Sequence, residues 1–167
     1  MPLAFELLLL AGVGLLIVAA LHDIAFRTVP NQLAAALGCC GLALRALSGD
    51  LLGALLAAVI VFFAAVFCWR RGWMGGGDVK LFAAAALIVP PLHVPLLVGW
   101  VSIAGGAVAV PYLLARRRQT ATSPRPHGLL PRIMRAEGWR LRRGGPLPYA
   151  VAIAAGAGLT LLQGGAS

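Results

Sequence analysis

Long apolar runs separated by short polar breaks extend along almost the whole of this 167-residue chain. A membrane-spanning helix needs roughly 20 predominantly apolar residues, and about six segments of that kind fit within the sequence. We expect the spans at about 3–21, 32–47, 51–69, 79–92, 94–115 and 147–162. The pattern therefore predicts an all-α membrane protein, a single domain over 1–167 formed by a bundle of six transmembrane helices.

Composition favours a membrane protein over a soluble one. Hydrophobic residues make up 60% of the chain, charged residues make up only 11%, and the mean hydropathy is +0.91. These values lie far outside the range of soluble globular domains. The first run has the position of a secretory signal peptide, but it carries Glu6 and no Lys or Arg at its start. We interpret it as a retained span that ends in a polar break over 22–31.

Positive charge is concentrated in the breaks between apolar runs. The net charge is +9, and thirteen of the fourteen Lys and Arg residues fall in the breaks near 27, 70–80 and 116–143, whereas only Arg45 lies towards the other side. By the positive-inside rule these breaks face the cytoplasm and both termini face outward. We interpret the cations as topology determinants that contact anionic lipids, and we expect no nucleic-acid partner.

The basic segment over 116–146 has two interpretations. Between 129 and 143, leucine, isoleucine and methionine alternate with arginine, which is typical of an amphipathic helix on an anionic membrane surface. A solvated basic loop that fixes topology would have the same composition. The sequence leaves both interpretations open.

Neither a metal site nor a disulfide framework is indicated. Cys39, Cys40 and Cys68 lie inside apolar runs and form no CxxC pair, so we interpret them as small packing residues. His22 is adjacent to Asp23, but the other histidines are remote in sequence, and no Ser/His pair is formed. We expect no metal and no cofactor.

Two acids, Asp23 and Asp78, stand out as candidates for chemistry. Glu6 and Asp50 fall on the predicted outer face, and Glu137 lies among arginines that can pair with it. Asp23 and Asp78 instead lie at the predicted cytoplasmic ends of apolar spans. Placing a charged side chain at the centre of a membrane helix costs on the order of 3 kcal/mol, and less near its end, so such residues are functional-site candidates.

Each acid also has a purely structural interpretation. Asp78 could be the N-cap of the fourth helix, and Asp23 could pair with Arg27 four residues further on. The triple glycine at 75–77 favours a functional site, because it removes side chains around Asp78 and lets an extended backbone approach. Two converging carboxylates share one proton, so one can activate water while the other protonates a peptide carbonyl.

Three segments resemble known intramembrane proteases. Gly75, Gly77 and Asp78 match the GxGD signature of intramembrane aspartyl proteases, with Gly76 in the variable position. Asp23 and the segment 27–31 resemble the first-aspartate segment of type IV prepilin peptidases, and 146–156 is similar to their last-helix segment. The three segments occur in register along essentially the whole chain.

The resemblance implies an aspartic-type endopeptidase of the bacterial inner membrane that removes the short basic leader of prepilin or pseudopilin substrates at the cytoplasmic face. Asp23 and Asp78 would be catalytic, and Gly75, Gly76 and Gly77 would bind substrate. Lys80 and Arg27 would orient a carboxylate or meet an acidic substrate residue.

The subclass is implied by what the sequence lacks. The paired CxxC motifs of the longer, bifunctional members are missing, which implies the peptidase-only subclass of Flp or tight-adherence pili and puts N-methyltransferase activity in doubt. The alternatives are a small proton-coupled transporter or a non-catalytic pilus or secretion assembly subunit. The sequence leaves the oligomeric state open.

Overall fold

The structure, a computed structural model, describes residues 3–118 and 149–164, and these form a helical bundle. The six α-helices are α1 (Leu3–Phe26), α2 (Asn31–Ser48), α3 (Leu51–Arg70), α4 (Gly76–Ile88), α5 (Val94–Arg118) and α6 (Tyr149–Gly164), with a 3₁₀ turn (Pro91–His93) before α5. The predicted all-α fold is confirmed. Two helices, α1 and α3, are long and apolar enough to cross a membrane, and two further apolar stretches, 91–107 and α6, are shorter. The six-span topology stays a prediction.

The first and fourth helices differ from the predicted spans. Helix α1 continues through Asp23 to Phe26, so the predicted polar break from residue 22 was placed too early. Asp23 lies on the inward face of this helix together with Gly12, Leu16 and Ala19, which explains why the helix does not stop at the first polar residue. Helix α4 covers 76–88 rather than 79–92, because Val89 precedes a proline and adopts an extended conformation.

Helix α4 occupies the centre of the bundle. It packs against α2, α3 and α6, while α5 packs mainly against α6. From Val79 to Ile88 all but two of its residues are buried. A helix of 13 residues is only about 20 Å long, which is short of a hydrocarbon core of roughly 30 Å. The first turn of α4, which contains Asp78, therefore lies at one end of the bundle. The last turn of α4 lies inside the opposite half of the bundle.

Small residues line the inward faces of the surrounding helices. The buried residues of α3 are Ala54, Ala58, Val61 and Ala65, at helical spacing, whereas its large phenylalanines are exposed. Gly41 of α2 lies so close to α4 that an added Cβ would come within 2.6 Å of the Leu87 Cβ. Small inward residues allow close helix contact, and large apolar residues face outward, as expected for a bundle surrounded by lipid.

Arg45 is buried within the bundle and binds two neighbouring elements. It is only 3% exposed, and its guanidinium donates to Asp50 Oδ2 at 3.1 Å and to the Ile88 carbonyl at 3.0 Å. The side chain therefore binds the C-terminal end of α4. A buried arginine needs partners, and here the partners are the Ile88 carbonyl, which has no acceptor role within its own helix end, and Asp50, which precedes α3.

Several further predictions concern residues other than the site. The basic segment 116–146, for which the sequence leaves two interpretations open, lies outside the described residues from 119 onward. Glu137 is part of that undescribed stretch. All three cysteines are free thiols. Cys40 is buried, and its Sγ lies 3.1 Å from the Leu8 carbonyl. Cys39 is exposed, so the prediction that it packs inside the bundle is wrong.

Candidate functional site

Asp23 reaches the site from the last turns of α1. It is only 5% exposed, since it continues the inward face that Gly12, Leu16 and Ala19 form on that helix. The backbone N–H of Ala150, in the first turn of α6, donates to Asp23 Oδ2 at 3.3 Å. Asp23 therefore lies between two helices that are far apart in sequence.

A sharp turn follows α1 and brings the chain back over Asp23. Arg27 has a left-handed backbone with a φ of 56°, a conformation that costs a non-glycine residue roughly 1 kcal/mol. The turn is held by the Arg27 N–H, which donates to the Asp23 carbonyl at 2.8 Å, and by His22 Nδ1, 2.7 Å from the Thr28 carbonyl. Pro30 then leads directly into α2.

Asp78 reaches the same site from the first turn of α4. The N-cap of this helix is Gly75, in an extended conformation, and Asp78 is the third helical residue, so the interpretation of Asp78 as the N-cap is wrong. Its backbone N–H donates to the Gly75 carbonyl at 3.1 Å, and its carboxylate packs against Gly75. The side chain is only 6% exposed.

The glycines allow close approach within and around this turn. A Cβ at Gly75 would lie 2.8 Å from Asp78 Oδ2, and a Cβ at Gly77 would lie 3.3 Å from both the Cβ and the carbonyl oxygen of Val29. Gly76 faces Trp69, whose Nε1 would be 3.4 Å from an added Cβ. Gly75 thus makes room for the carboxylate, and Gly77 lets the α1–α2 turn pack directly on α4.

The two acidic segments together form an open pocket of about 360 Å³. Six of the seven predicted site residues line it, namely Asp23, Arg27, Gly75, Gly76, Gly77 and Asp78. Lys80 does not. Its Nζ donates instead to the Asn31 side-chain oxygen at 2.9 Å, and Asn31 is a lining residue. Lys80 therefore ties α4 to the start of α2 at the rim of the pocket.

Sequence reasoning did not identify every group at the site. Thr28, Val29 and Asn31 also line the pocket, and the segment 27–31 was the available signal for them. The Ala150 N–H was missed because a backbone donor leaves no mark in the residue type. The sequence of 146–156 indicates only a similarity to a family segment.

The chemistry open to this pocket is that of paired carboxylates. Two buried acids of like charge that share a site favour a state with one proton between them, and this state supplies a base and an acid at once. Within 3–118 and 149–164, no group of three or more His, Cys, Asp or Glu side chains could hold a metal ion. The arrangement suits hydrolysis of a peptide bond by an activated water molecule.

Comparison with protein families identifies the chain. The family model for the type IV leader peptidase family matches residues 10–110, a segment that is well over half of the chain and contains both Asp23 and Asp78. Searches of curated proteins and of solved structures give no match. The chain is therefore a member of the type IV leader peptidase family.

Proposed function

We propose that Asp23 and Asp78 are the catalytic pair of this leader peptidase. As a member of the family the protein is an aspartic-type enzyme that cleaves the leader peptides of prepilins. The observation that carries the assignment is that both carboxylates are buried and line one pocket, although they come from different helices. A pocket of about 360 Å³ has room for an extended peptide segment and a water molecule.

The proposed reaction uses one proton held between the two acids. The ionised carboxylate takes a proton from water as the water oxygen attacks the scissile carbonyl, and the other acid protonates the carbonyl oxygen. The C–N bond of the resulting tetrahedral intermediate then breaks as the leaving amine takes a proton from the first carboxyl group. The second carboxylate takes back a hydroxyl proton as the new carboxyl group forms, so the pair returns to its one-proton state. The products are a leader with a new carboxyl terminus and a mature protein with a new amino terminus.

The glycine segment supports binding of an extended substrate. Gly75, Gly76 and Gly77 line the pocket without adding any side chain to it, which favours an extended peptide backbone as its occupant. Arg27 lines the same pocket. We assign these four residues to substrate binding and Lys80 to the rim.

The membrane arrangement of the proposal follows from charge. With the Asp23 and Asp78 end of the bundle in the cytoplasm and both termini outside, the enzyme meets the basic leader of a prepilin or pseudopilin on its cytoplasmic side. A positive leader is repelled by a positive surface, so the apolar helix of the substrate supplies most of the binding by partitioning into the same bilayer. The arginines of 116–143 then engage anionic lipids.

We assign the protein to the peptidase-only subclass of Flp or tight-adherence pili. The sequence has three cysteines and no CxxC pair. The resemblance implies that the bifunctional members, in contrast, carry paired CxxC motifs. We therefore expect cleavage without N-methylation of the new amino terminus.

The experiment that tests this function is cleavage by the purified protein in detergent micelles. The substrate is a synthetic prepilin segment with a basic leader and an apolar helix, and the control is the same peptide with the residues around the junction scrambled. We expect one cut, seen by mass spectrometry as two products, and no added methyl group when S-adenosylmethionine is present. A transporter or an assembly subunit would leave both peptides intact, and that result would reject the proposal.

Substitution of Gly75 tests the geometry around Asp78. In Gly75→Ala the new Cβ would lie 2.8 Å from Asp78 Oδ2, so the carboxylate must rotate away from its position. We expect kcat for leader cleavage to fall about 10-fold or more, since a displaced catalytic group loses its alignment with the reacting atoms. Gly99→Ala is the matched control, because a Cβ there meets nothing within 4 Å and Gly99 does not line the pocket. Equal rates for the two variants would contradict the role of Gly75.

A further inference from the structure

We infer that the backbone N–H of Ala150 is a positioning group for Asp23 and that the start of α6 is a third part of the active site. The family match covers 10–110, so α6 lies outside the matched residues. The inference rests on the proposed function, since it assigns to α6 the task of holding one of the two proposed catalytic carboxylates.

The contact has the features of a specific interaction. Ala150 is the second residue of α6, and the N–H groups of a first helical turn have no acceptor within their own helix. This N–H instead donates to Asp23 Oδ2 at 3.3 Å, and both residues are buried. A buried carboxylate without a donor is costly, so the bond stabilises one orientation of the Asp23 side chain.

The two carboxylates are held in different ways. The Asp78 carboxylate packs against Gly75, the N-cap of its own helix, so this contact moves with α4. The donor to Asp23 lies on another helix, and its position depends on how α6 packs in the bundle. The orientation of Asp23 is therefore sensitive to α6, whereas that of Asp78 is not.

Close contacts with α5 and α1 fix the position of α6. A Cβ at Gly156 would lie 2.6 Å from Val101 Cγ2 and 2.8 Å from the Val101 backbone nitrogen. At the start of the helix, a Cβ at Gly105 of α5 would lie 3.3 Å from Tyr149 Cε1. These contacts leave no room for α6 to approach α5 more closely, and α6 also packs along α1.

The direct test removes only the N–H. Replacing Ala150 by lactic acid, through nonsense suppression in cell-free synthesis into nanodiscs, converts the amide to an ester and leaves the side chain unchanged. The matched control replaces Val151 by 2-hydroxyisovaleric acid, which changes the next N–H of the same helical turn. Both esters weaken one helix carbonyl to a similar extent, so they should have similar thermal stability.

The expected result is a selective loss of turnover. Hydrogen bonds to charged groups are worth enough that removing one lowers kcat about 10- to 100-fold, and we expect this for the ester at 150 but not at 151. We expect KM for the leader peptide to change less than about threefold, because the N–H orients a catalytic group and does not bind substrate. A merely structural role of α6 would affect both esters alike.

A second pair of variants tests the same idea through packing. Gly156→Ala forces α6 away from Val101. Gly158→Ala is the control on the same helix, because its new Cβ meets nothing within 4 Å. We expect kcat to fall at least about 10-fold in Gly156→Ala and to stay near the wild-type value in Gly158→Ala. Equal kcat values for these two proteins would count against the inference.

The outcomes separate this inference from the proposed function. If the ester at 150 is as active as the ester at 151 while Asp23→Asn is inactive, Asp23 is catalytic and the role of Ala150 is overturned. A loss confined to KM also overturns it, because α6 would then bind substrate. If Asp23→Asn itself cleaves the leader at the wild-type rate, the proposed function fails instead.

Discussion

Asp23→Asn and Asp78→Asn should each lower the rate of leader cleavage by about 10³-fold or more, a loss within the range that general acid–base groups contribute as a pair. Asparagine has nearly the same shape as aspartate but can neither take a proton from water nor donate one as an acid. Its side-chain oxygen can still accept the Ala150 N–H at position 23, and at position 78 it fits the space beside Gly75. The fold should therefore be kept while the chemistry is lost.

This prediction is measured by processing of a co-expressed prepilin and by the amount of enzyme in the membrane. Glu6→Gln is the matched control, because it makes the same change of carboxylate to amide at an exposed residue of α1. We expect it to process prepilin normally. Full processing by either aspartate variant would show that the two acids are not a catalytic pair.

Arg45→Met should destabilise the folded protein by about 3 kcal/mol, since it leaves buried hydrogen-bonding groups without their donor. The guanidinium binds both the Ile88 carbonyl, at the end of α4, and the Asp50 carboxylate. Methionine fills much of the same volume but donates no hydrogen bond. The Ile88 carbonyl would then be buried without that partner, and Asp50, which is partly exposed, would lose its ion pair.

The measurement is the thermal unfolding midpoint in detergent, followed together with cleavage at a temperature where the variant is folded. Arg70→Met is the control, since Arg70 is exposed at the end of α3 and we expect its loss to change stability by less than about 0.5 kcal/mol. Asp78 lies ten residues before Ile88 on α4, or about 15 Å away, so folded Arg45→Met should cleave at nearly the normal rate. An unchanged midpoint would contradict the structural role of Arg45.

The sequence predicted which residues share the pocket better than it predicted the packing around them. Asp23, Asp78 and the triple glycine could be recognised because an acid or a glycine run within an apolar helix is unusual whatever the packing. The structure brings these residues to one pocket, together with Arg27. Of the predicted site residues, Lys80 does not line the pocket. The direction in which a long lysine side chain extends from its helix cannot be predicted from the sequence alone.

The packing was hard to predict because the bundle is apolar on its inside and on its outside. In α3 the buried residues are alanines and a valine, whereas Phe63 is exposed, so hydrophobicity does not mark the inward face. The contacts of Arg45 were equally hard to predict, because a cation near a helix end is typical of a membrane boundary and does not indicate that it also binds the end of α4. The role of a backbone group such as the Ala150 N–H cannot be predicted from residue types, because every residue except proline has this donor.

The central claim is that Asp23 and Asp78 act together on one water molecule, and the double variant tests it most directly. Single-turnover cleavage of the leader peptide is measured for Asp23→Asn, Asp78→Asn and the combined variant at equal enzyme concentration. Groups that act as a unit show strongly non-additive losses, so we expect the double variant to retain about the same residual rate as either single variant. A double variant whose loss equals the product of the two single losses, or a single variant that cleaves at the wild-type rate, would contradict the shared site.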